Sequence, residues 1–254
     1  MNRVKRMVES VPLTRANQLG WPVLSVQQSR DVDAGAIADH GMTGQTLMQN
    51  AGSAAAKIVL TRSDVANARV IILAGPGNNG GDGYVIATEL VNQSVDVSVL
   101  SCVPLERLRG DARWAHSNAM DAGVAITECI EATSMSQRLS GALEHPGPVI
   151  VVDCMLGTGS QGPPREPMST AIEIINRRRQ QGSVDHTVAI DLPTGMDGDS
   201  GMVASSAFHA DLTLTFVTGK SGMLNCPDQG ILGDVQILDI GLPQAMRAEL
   251  GIAM

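Results

Sequence analysis

RVIILA (Arg69–Ala74) runs without a break into GPGNNGGDGY (Gly75–Tyr84). The first segment is apolar and of strand length, Gly75 ends it, and Tyr84–Gln93 reads as a helix. Downstream the alternation recurs. Val95–Ser101 reads as a strand and Leu105–Ala122 as a helix; Val124–Glu128 is a weak strand and Glu131–Leu143 a helix. PVIVVD (148–153) is apolar enough to be buried on both faces, Met168–Gln181 is a helix, TVAID (187–191) a strand, and DLTLTFV (211–217) and DVQILD (234–239) complete the series. Strands separated by ~10–15-residue helices favour parallel βαβ units covered by helices on both faces. The expected class is α/β with a mostly parallel sheet. The last two strands have no strong helix between them, so a sheet edge is expected to depart from that pattern.

Upstream, SVQQSRDVDAGAIADH (25–40) places Val26, Val32, Ala36 and Ile37 near one helical face. Thr43 then caps a second helix, TGQTLMQNAGSAAAKIVL (43–60), whose small-residue run over 51–56 lets another backbone approach closely. Residues 1–24 contain Pro12 and Pro22 without a clear period and read as a flexible N-terminal extension; residues 25–254 read as a single domain.

Composition narrows the function. The chain has 254 residues, 43% of them hydrophobic and 17% charged, which excludes a disordered chain. Aromatics are only 2%, too few for a protein that stacks nucleic-acid bases. Residues 1–30 hold five basic residues and one acid, and the remainder 13 basic and 25 acidic, a body charge of −12 that does not suit DNA or RNA. No apolar stretch is long enough to span a membrane. Cys102, Cys129, Cys154 and Cys226 are scattered singly, and the basic start MNRVKRMVES lacks the apolar core of a secretory signal. Free thiols in a reducing, cytoplasmic compartment are expected.

Three glycine-rich loops each follow a strand: Gly75–Gly83, Asp153–Gly162 and Asp191–Asp197. In an open parallel sheet such loops converge on one crevice, where ligands bind. Gly75, Gly77 and Gly80 satisfy G-x-G-x-x-G, but the next strand ends in Ser101-Cys102 rather than the acid a dinucleotide oxidoreductase uses for ribose. Asp82, read here at the helix start, can cap the helix. It would repel an anion bound there and is better suited to hydroxyl or amide groups.

GPGNNGGDGY, VVDCMLGTGSQGPPREP, AIDLPTGMDGDSG and ADLTLTFVTGKSGMLNCPDQGILGDVQILDIGLP resemble, in order, the signature segments of the NAD(P)H-hydrate epimerase family, the YjeF N-terminal domain. LMQNAG resembles its first-helix signature, where an acid is usual in place of Gln49. The resemblance covers about Ser25 to Pro243. It implies a Rossmann-like three-layer α/β/α sandwich that interconverts the R and S forms of hydrated nicotinamide cofactors, so that a partner dehydratase can repair them. That dehydratase is often fused C-terminally; with the chain ending at Met254, a separate dehydratase is expected. The resemblance further implies hydrated NADH or NADPH against Asn78, Asn79, Gly80, Gly81 and Asp82, against Gly157, Thr158, Gly159, Ser160, Gln161, Gly162 and Pro163, and against Asp191. It implies a potassium ion at Asn79, Asp153 and Thr194, with Thr194 standing where Ser is usual.

The residues themselves agree. A hard monovalent cation takes oxygen ligands, which an amide, a carboxylate and a hydroxyl supply. Each also has a structural alternative: Asp153 as a cap of its loop, Asn79 and Thr194 as loop-bracing hydrogen bonders. Asp191 is the catalytic choice. Inversion at the C6 hemiaminal needs the hydroxyl to leave and return on the other face, through an iminium or a ring-opened aldehyde. A strand-end carboxylate whose pKa is raised by partial desolvation can donate and remove the protons; the alternative is that Asp191 only binds or braces. Lys220, in TGKSG, is open between phosphate binding, acid–base work and a plain salt bridge. A homodimer is expected, with the N-terminal helices contributing through the small-residue run. The competing reading is a non-catalytic dimeric Rossmann-like interaction module, which the presence of Asp82, Asp153 and Asp191 disfavours.

Overall fold

The computed structural model describes residues 10–13, 21–61 and 65–252. In chain order its strands are β1 (Ser10–Pro12), β2 (Val23–Leu24), β3 (Arg69–Ala74), β4 (Asp96–Ser101), β5 (Ala125–Glu128), β6 (Val149–Cys154), β7 (His186–Ile190), β8 (Leu212–Phe216), β9 (Gly219–Lys220) and β10 (Asp234–Leu238). The helices are α1 (Val26–Ala38), α2 (Gly44–Val59), α3 (Asn78–Asn92), α4 (Gly110–Asp121), α5 (Ala132–Leu143), α6 (Met168–Gln180), α7 (Ser221–Asn225) and α8 (Gln244–Glu249).

Side chains alternate along a strand, so an apolar run must find cover on both faces. Val70, Ile72 and Ala74 of β3 join a cluster built with α2, α3 and α4, while Ile71 and Leu73 join another built with α5 and α6. The result is the expected three-layer α/β/α sandwich. The sheet order is β1-β10-β8-β7-β6-β3-β4-β5, with every neighbouring pair parallel except β1–β10. From β3 the chain steps through β4 to β5, then returns to place β6 on the other side of β3. Loops leaving β3 and β6 therefore part in opposite directions and open a crevice at their carboxyl ends.

The sheet edge does depart from the parallel pattern, but not where expected. β8 and β10 remain parallel, and the antiparallel strand is β1, from the stretch read as an extension. Pro12 fits there because an edge strand can spare an N–H. Leu13 and Trp21 are buried, and β2 pairs with β9. Residues 10–13 and 21–24 thus pack onto the sandwich, and the rest of 1–24 lies outside the described residues. Three-residue and two-residue pairings carry no periodic signal, which is why the sequence hides them.

The small-residue run of α2 is also used differently. Ala51, Gly52, Ala54, Ala55 and Ala56 are buried within the chain. A Cβ on Gly52 would stand 2.5 Å from Val85 Cβ of α3. The run seats α2 on α3. The helix expected from Tyr84 begins at Asn78, so NNGGD forms its first turns rather than a loop. Glycine is needed for packing: a Cβ on Gly80 would run into the Gly75 carbonyl oxygen, and one on Gly81 would stand 2.5 Å from Met48 Cε.

Two glycine substitutions in helices should therefore have opposite signs. Gly141→Ala in α5, where nothing lies within 4 Å, should stabilise by ~0.5–1 kcal/mol. Gly80→Ala should destabilise by about 1–3 kcal/mol because backbone has to move. Urea unfolding of both variants measures this; a stabilised Gly80→Ala would show the contact to be compliant.

Candidate active site

At the carboxyl ends of the central strands a cavity of about 510 Å³ opens between the β3, β6, β7 and β8 loops and helix α1. Of the residues singled out above, Asn78, Asn79, Asp82, Gly157, Thr158, Gly159, Ser160, Asp191 and Lys220 line it. Gly80 and Gly81 do not; they are packing positions inside α3. Gln161, Gly162 and Pro163 lie just beyond the wall and are exposed. Asp153 and Thr194 are buried, off the wall and bonded to each other. The sequence reading missed Ser29, Arg30 and Asp33, which α1 brings to the mouth of the cavity. They belong to a helix with no motif, about 40 residues before the first loop, and no local signal marks them.

Asp153 is the next-to-last residue of β6 and is fully buried. Its carboxylate accepts from Met155 N at 3.0 Å, Thr194 N at 2.8 Å and Thr194 Oγ1 at 2.7 Å. Thr194 Oγ1 in turn accepts from Leu156 N at 3.0 Å. The pair ties the β6 loop to the β7 loop. Burial pushes the Asp153 carboxyl up to about 6 against these hydrogen bonds. Asn79 is different, since its buried amide oxygen and nitrogen both lack a hydrogen-bond partner among the described residues. An unengaged amide oxygen, a buried carboxylate that a positive charge would relieve and a hydroxyl form an oxygen-only donor set. These residues fit a hard monovalent cation.

Asp191 stands at the end of β7. Lys220 Nζ lies 2.9 Å from its Oδ1, and Thr158 N donates to its Oδ2 at 2.9 Å. Burial alone would raise this carboxyl, but the Lys220 charge and the Lys220 and Thr158 hydrogen bonds outweigh it and hold it below the ordinary aspartate range. This corrects the expectation of a raised pKa: desolvation was legible from the apolar strand, whereas the compensating cation comes from β9. Lys220 forms its ion pair inside the cavity. Its Nζ also donates to Thr215 Oγ1 at 2.6 Å and to the carbonyls of Thr218 and Phe216 at 3.4 and 3.5 Å.

Both partners hang on unusual backbone. Asp191 has φ +66° and Val217 has φ +61°. Leu192 N donates to Ile190 O at 2.8 Å, and Thr218 N donates to Phe216 O at 2.6 Å. Each is a γ-turn with positive central φ, a strained form, and for a β-branched residue such as Val217 a genuine outlier. Asp82, expected at the helix start, lies in the second turn of α3 with Gly77 as the N-cap. It is 8% exposed and its carboxyl makes no hydrogen bond among the described residues. Gln49, outside the cavity, donates to Glu89 Oε1 at 3.1 Å. The arginines at the last turn of α6 pair within the chain: Arg177 with Glu173, Arg178 with Glu144 and Arg179 with Asp211.

The sequence profile of the YjeF-related protein N-terminus matches residues 44–222. A protein of Pirellula staleyi named NAD(P)H-hydrate epimerase is 43% identical over 224 residues, covering 88% of this chain and 94% of its own length. One of the same name from Rhodopirellula baltica is 35% identical over 234 residues, covering 92% and 90%. A bifunctional NAD(P)H-hydrate repair enzyme Nnr of Thermanaerovibrio acidaminovorans is 37% identical over 216 residues, which is 84% of this chain but 40% of that protein. The crystal structure of yeast ynu0 superposes with a TM-score of 0.70 at 22% identity over 90% of this chain and 93% of that one, a likeness of fold.

Removing the Lys220 charge strands Asp191. Lys220→Met should cost about 3–5 kcal/mol at neutral pH, and Asp191→Asn added to it should restore most of that. The sign with pH follows from the depressed Asp191 carboxyl: the pair stabilises above the ordinary aspartate range and is lost as pH falls through the depressed value. Protonating Asp191 in the Lys220→Met protein relieves the stranded charge, so the gap between variant and parent should narrow in acid. Urea titrations across pH measure both effects, and a gap that widens in acid would contradict the pairing.

Proposed function

This chain belongs to the YjeF-related N-terminal family, and on that premise we propose that it is an epimerase interconverting the R and S forms of hydrated NADH and NADPH. The observation that carries the reading is the Asp191–Lys220 pair, 2.9 Å apart in a cavity bounded by the loops that match the family. Relatives named NAD(P)H-hydrate epimerase, similar over most of their length, support the same reaction. The non-catalytic module is not favoured, because the cavity keeps ionisable groups that a scaffold does not need.

The substrate carries a hydroxyl on C6 beside the ring nitrogen. As the C6–O bond breaks, the hydroxyl takes a proton and leaves as water, and the nitrogen lone pair forms an iminium with C6. Water adding to the opposite face restores the C6–O bond and must lose a proton. Asp191 is an ionised carboxylate at the cavity wall and accepts that proton. Lys220 keeps it ionised and fixes its direction, while the Thr158 N–H occupies the other oxygen. The glycine-rich backbone of 157–160 gives the rest of the dinucleotide close approach.

Asn79, Asp153 and Thr194 would hold a potassium ion, which when bound would neutralise Asp153 and tie the start of α3 to the ends of β6 and β7. The unpartnered Asn79 amide supports this. The reading includes a cytoplasmic location, in keeping with four free cysteines and, among the described residues, no helix long and apolar enough to cross a membrane. A dehydratase acting on the epimerised hydrate is the functional partner, since epimerisation alone does not return the cofactor. A closed two-fold homodimer belongs to the same proposal, on the general ground that such pairs are the commonest soluble oligomers. With the α2 run buried, α1, which exposes Ile37, is what the N-terminal helices offer to an interface; sedimentation as one species of 26.6 kDa would remove the dimer.

Chromatography of the S and R hydrates of NADH gives the direct test. Asp191→Asn keeps the shape and should lower kcat by roughly two to four powers of ten with KM little changed. A variant with parental kcat and raised KM would make Asp191 a binding residue. Asp153→Ala should remove the dependence of the rate on potassium, and unchanged dependence would refute the ion assignment.

A further inference from the structure

Asp191 accounts for one of the two proton transfers. It is a poor source for the other, because a carboxylate paired with an ammonium has no proton to give. The departing hydroxyl needs an acid on another side of the ring. We propose that Asp82 is that acid: its carboxyl, on the α3 wall of the cavity, donates the proton to the C6 hydroxyl as it leaves, across from Asp191 on the β7 wall. This inference rests on the epimerase reading and adds a second catalytic residue to it.

The placement comes from the fold. A Cβ added to Gly157 would stand 2.7 Å from Asp191 Oδ2 and 3.4 Å from Asn79 Cβ, so the chain leaving β7 and α3 both come up to the space beside Gly157. Asp82 follows Asn79 by three residues on α3 and so shares its face. Both acids line the one cavity. Asp82 is 8% exposed. No hydrogen bond to its carboxyl is made by the described residues. Among the described residues it does not brace a loop as Asp153 does, does not cap α3 and pairs with no cation. A mostly buried carboxyl with no structural task is costly as an anion. Burial first, then the like charges of Asp191 and Asp33, hold it well above the ordinary range, and Lys220, which opposes them, is engaged by Asp191. The other titratable group beside it, the Cys154 thiol, is itself pushed up by burial and is neutral. Two carboxyls whose surroundings drive them apart make an acid and a base at one pH.

The protons balance. Asp82 gives its proton to the C6 hydroxyl, which departs as water, leaving the iminium and an Asp82 carboxylate. Water adds to the opposite face of C6, and its proton goes to Asp191. Exchange with solvent through the open mouth returns Asp191 to the carboxylate and Asp82 to the acid. No oxidant, reductant or further reactant is required.

The test uses the full chain at saturating potassium chloride, with the hydrates of NADH as substrate. Asp82→Asn should lower kcat by about two to four powers of ten while KM stays within a few-fold, and Asp82→Glu should recover part of it. A second readout is independent of turnover. Infrared difference spectra of the substrate-free protein at neutral pH should show the carbonyl band of a protonated carboxylic acid, shifted in heavy water and missing from Asp82→Asn. A parent without that band overturns the proposal, and so does an Asp82→Asn protein with parental kcat. In both cases an active parent leaves the epimerase reading standing. A parent that does not exceed the spontaneous rate defeats that reading and the proposal together.

Discussion

One buried carboxylate holds the functional end of the molecule in register. Asp153 sits near the end of β6, on the central seam of the sheet, and takes one hydrogen bond from its own loop and two from the loop after β7. Through Thr194 it ties the chain leaving β7 to the chain leaving β6, and Thr194 passes the constraint to Leu156. Gly157 and Thr158 follow directly, and the Thr158 N–H is one of the two groups that fix Asp191. The geometry of a polar pair at the cavity wall is thus set by a polar group beneath it. A hydrophobic residue at 153 would fill the same space, but two loops would then have N–H groups without acceptors, which is the more expensive arrangement in a dry interior.

The parallel sandwich was legible because its strands are short apolar runs bounded by glycine, and nothing but helices on both faces can cover them. The cavity was legible in outline for a related reason: strand-end loops converge wherever such a sheet reverses its winding. What the sequence concealed came from partners distant along the chain. Arg30 and Asp33 reach the mouth only because α1 lies across it. Asp191 loses its expected proton because Lys220, 29 residues later, folds beside it. The NNGGD segment read as a loop because glycine disfavours helices, yet packing against Gly75 and Met48 selects a helix that a bulkier sequence could not fit. Small residues on α2 suggested a partner, and the partner is α3 of the same chain.

The three aspartates also show how little residue type says about ionisation. Asp153, Asp82 and Asp191 are all substantially withdrawn from water, yet the first answers to backbone donors, the second to no hydrogen-bond donor among the described residues and the third to an ammonium. Asp153 is a structural anchor off the cavity wall, and Asp82 and Asp191 are two chemically distinct groups on it.

The paired γ-turns at Asp191 and Val217 bear on how this domain can change over time. Each sparsely populated backbone conformation costs of order 1–3 kcal/mol and persists only where its surroundings over-determine it. Substitutions that let either turn relax would be rewarded by any selection acting on folding alone, and glycine at 217 is the simplest of them. A β-branched residue there is a position where selection on folding and selection on chemistry would pull apart. A chain freed from its reaction should drift first at this turn, well before its core changes.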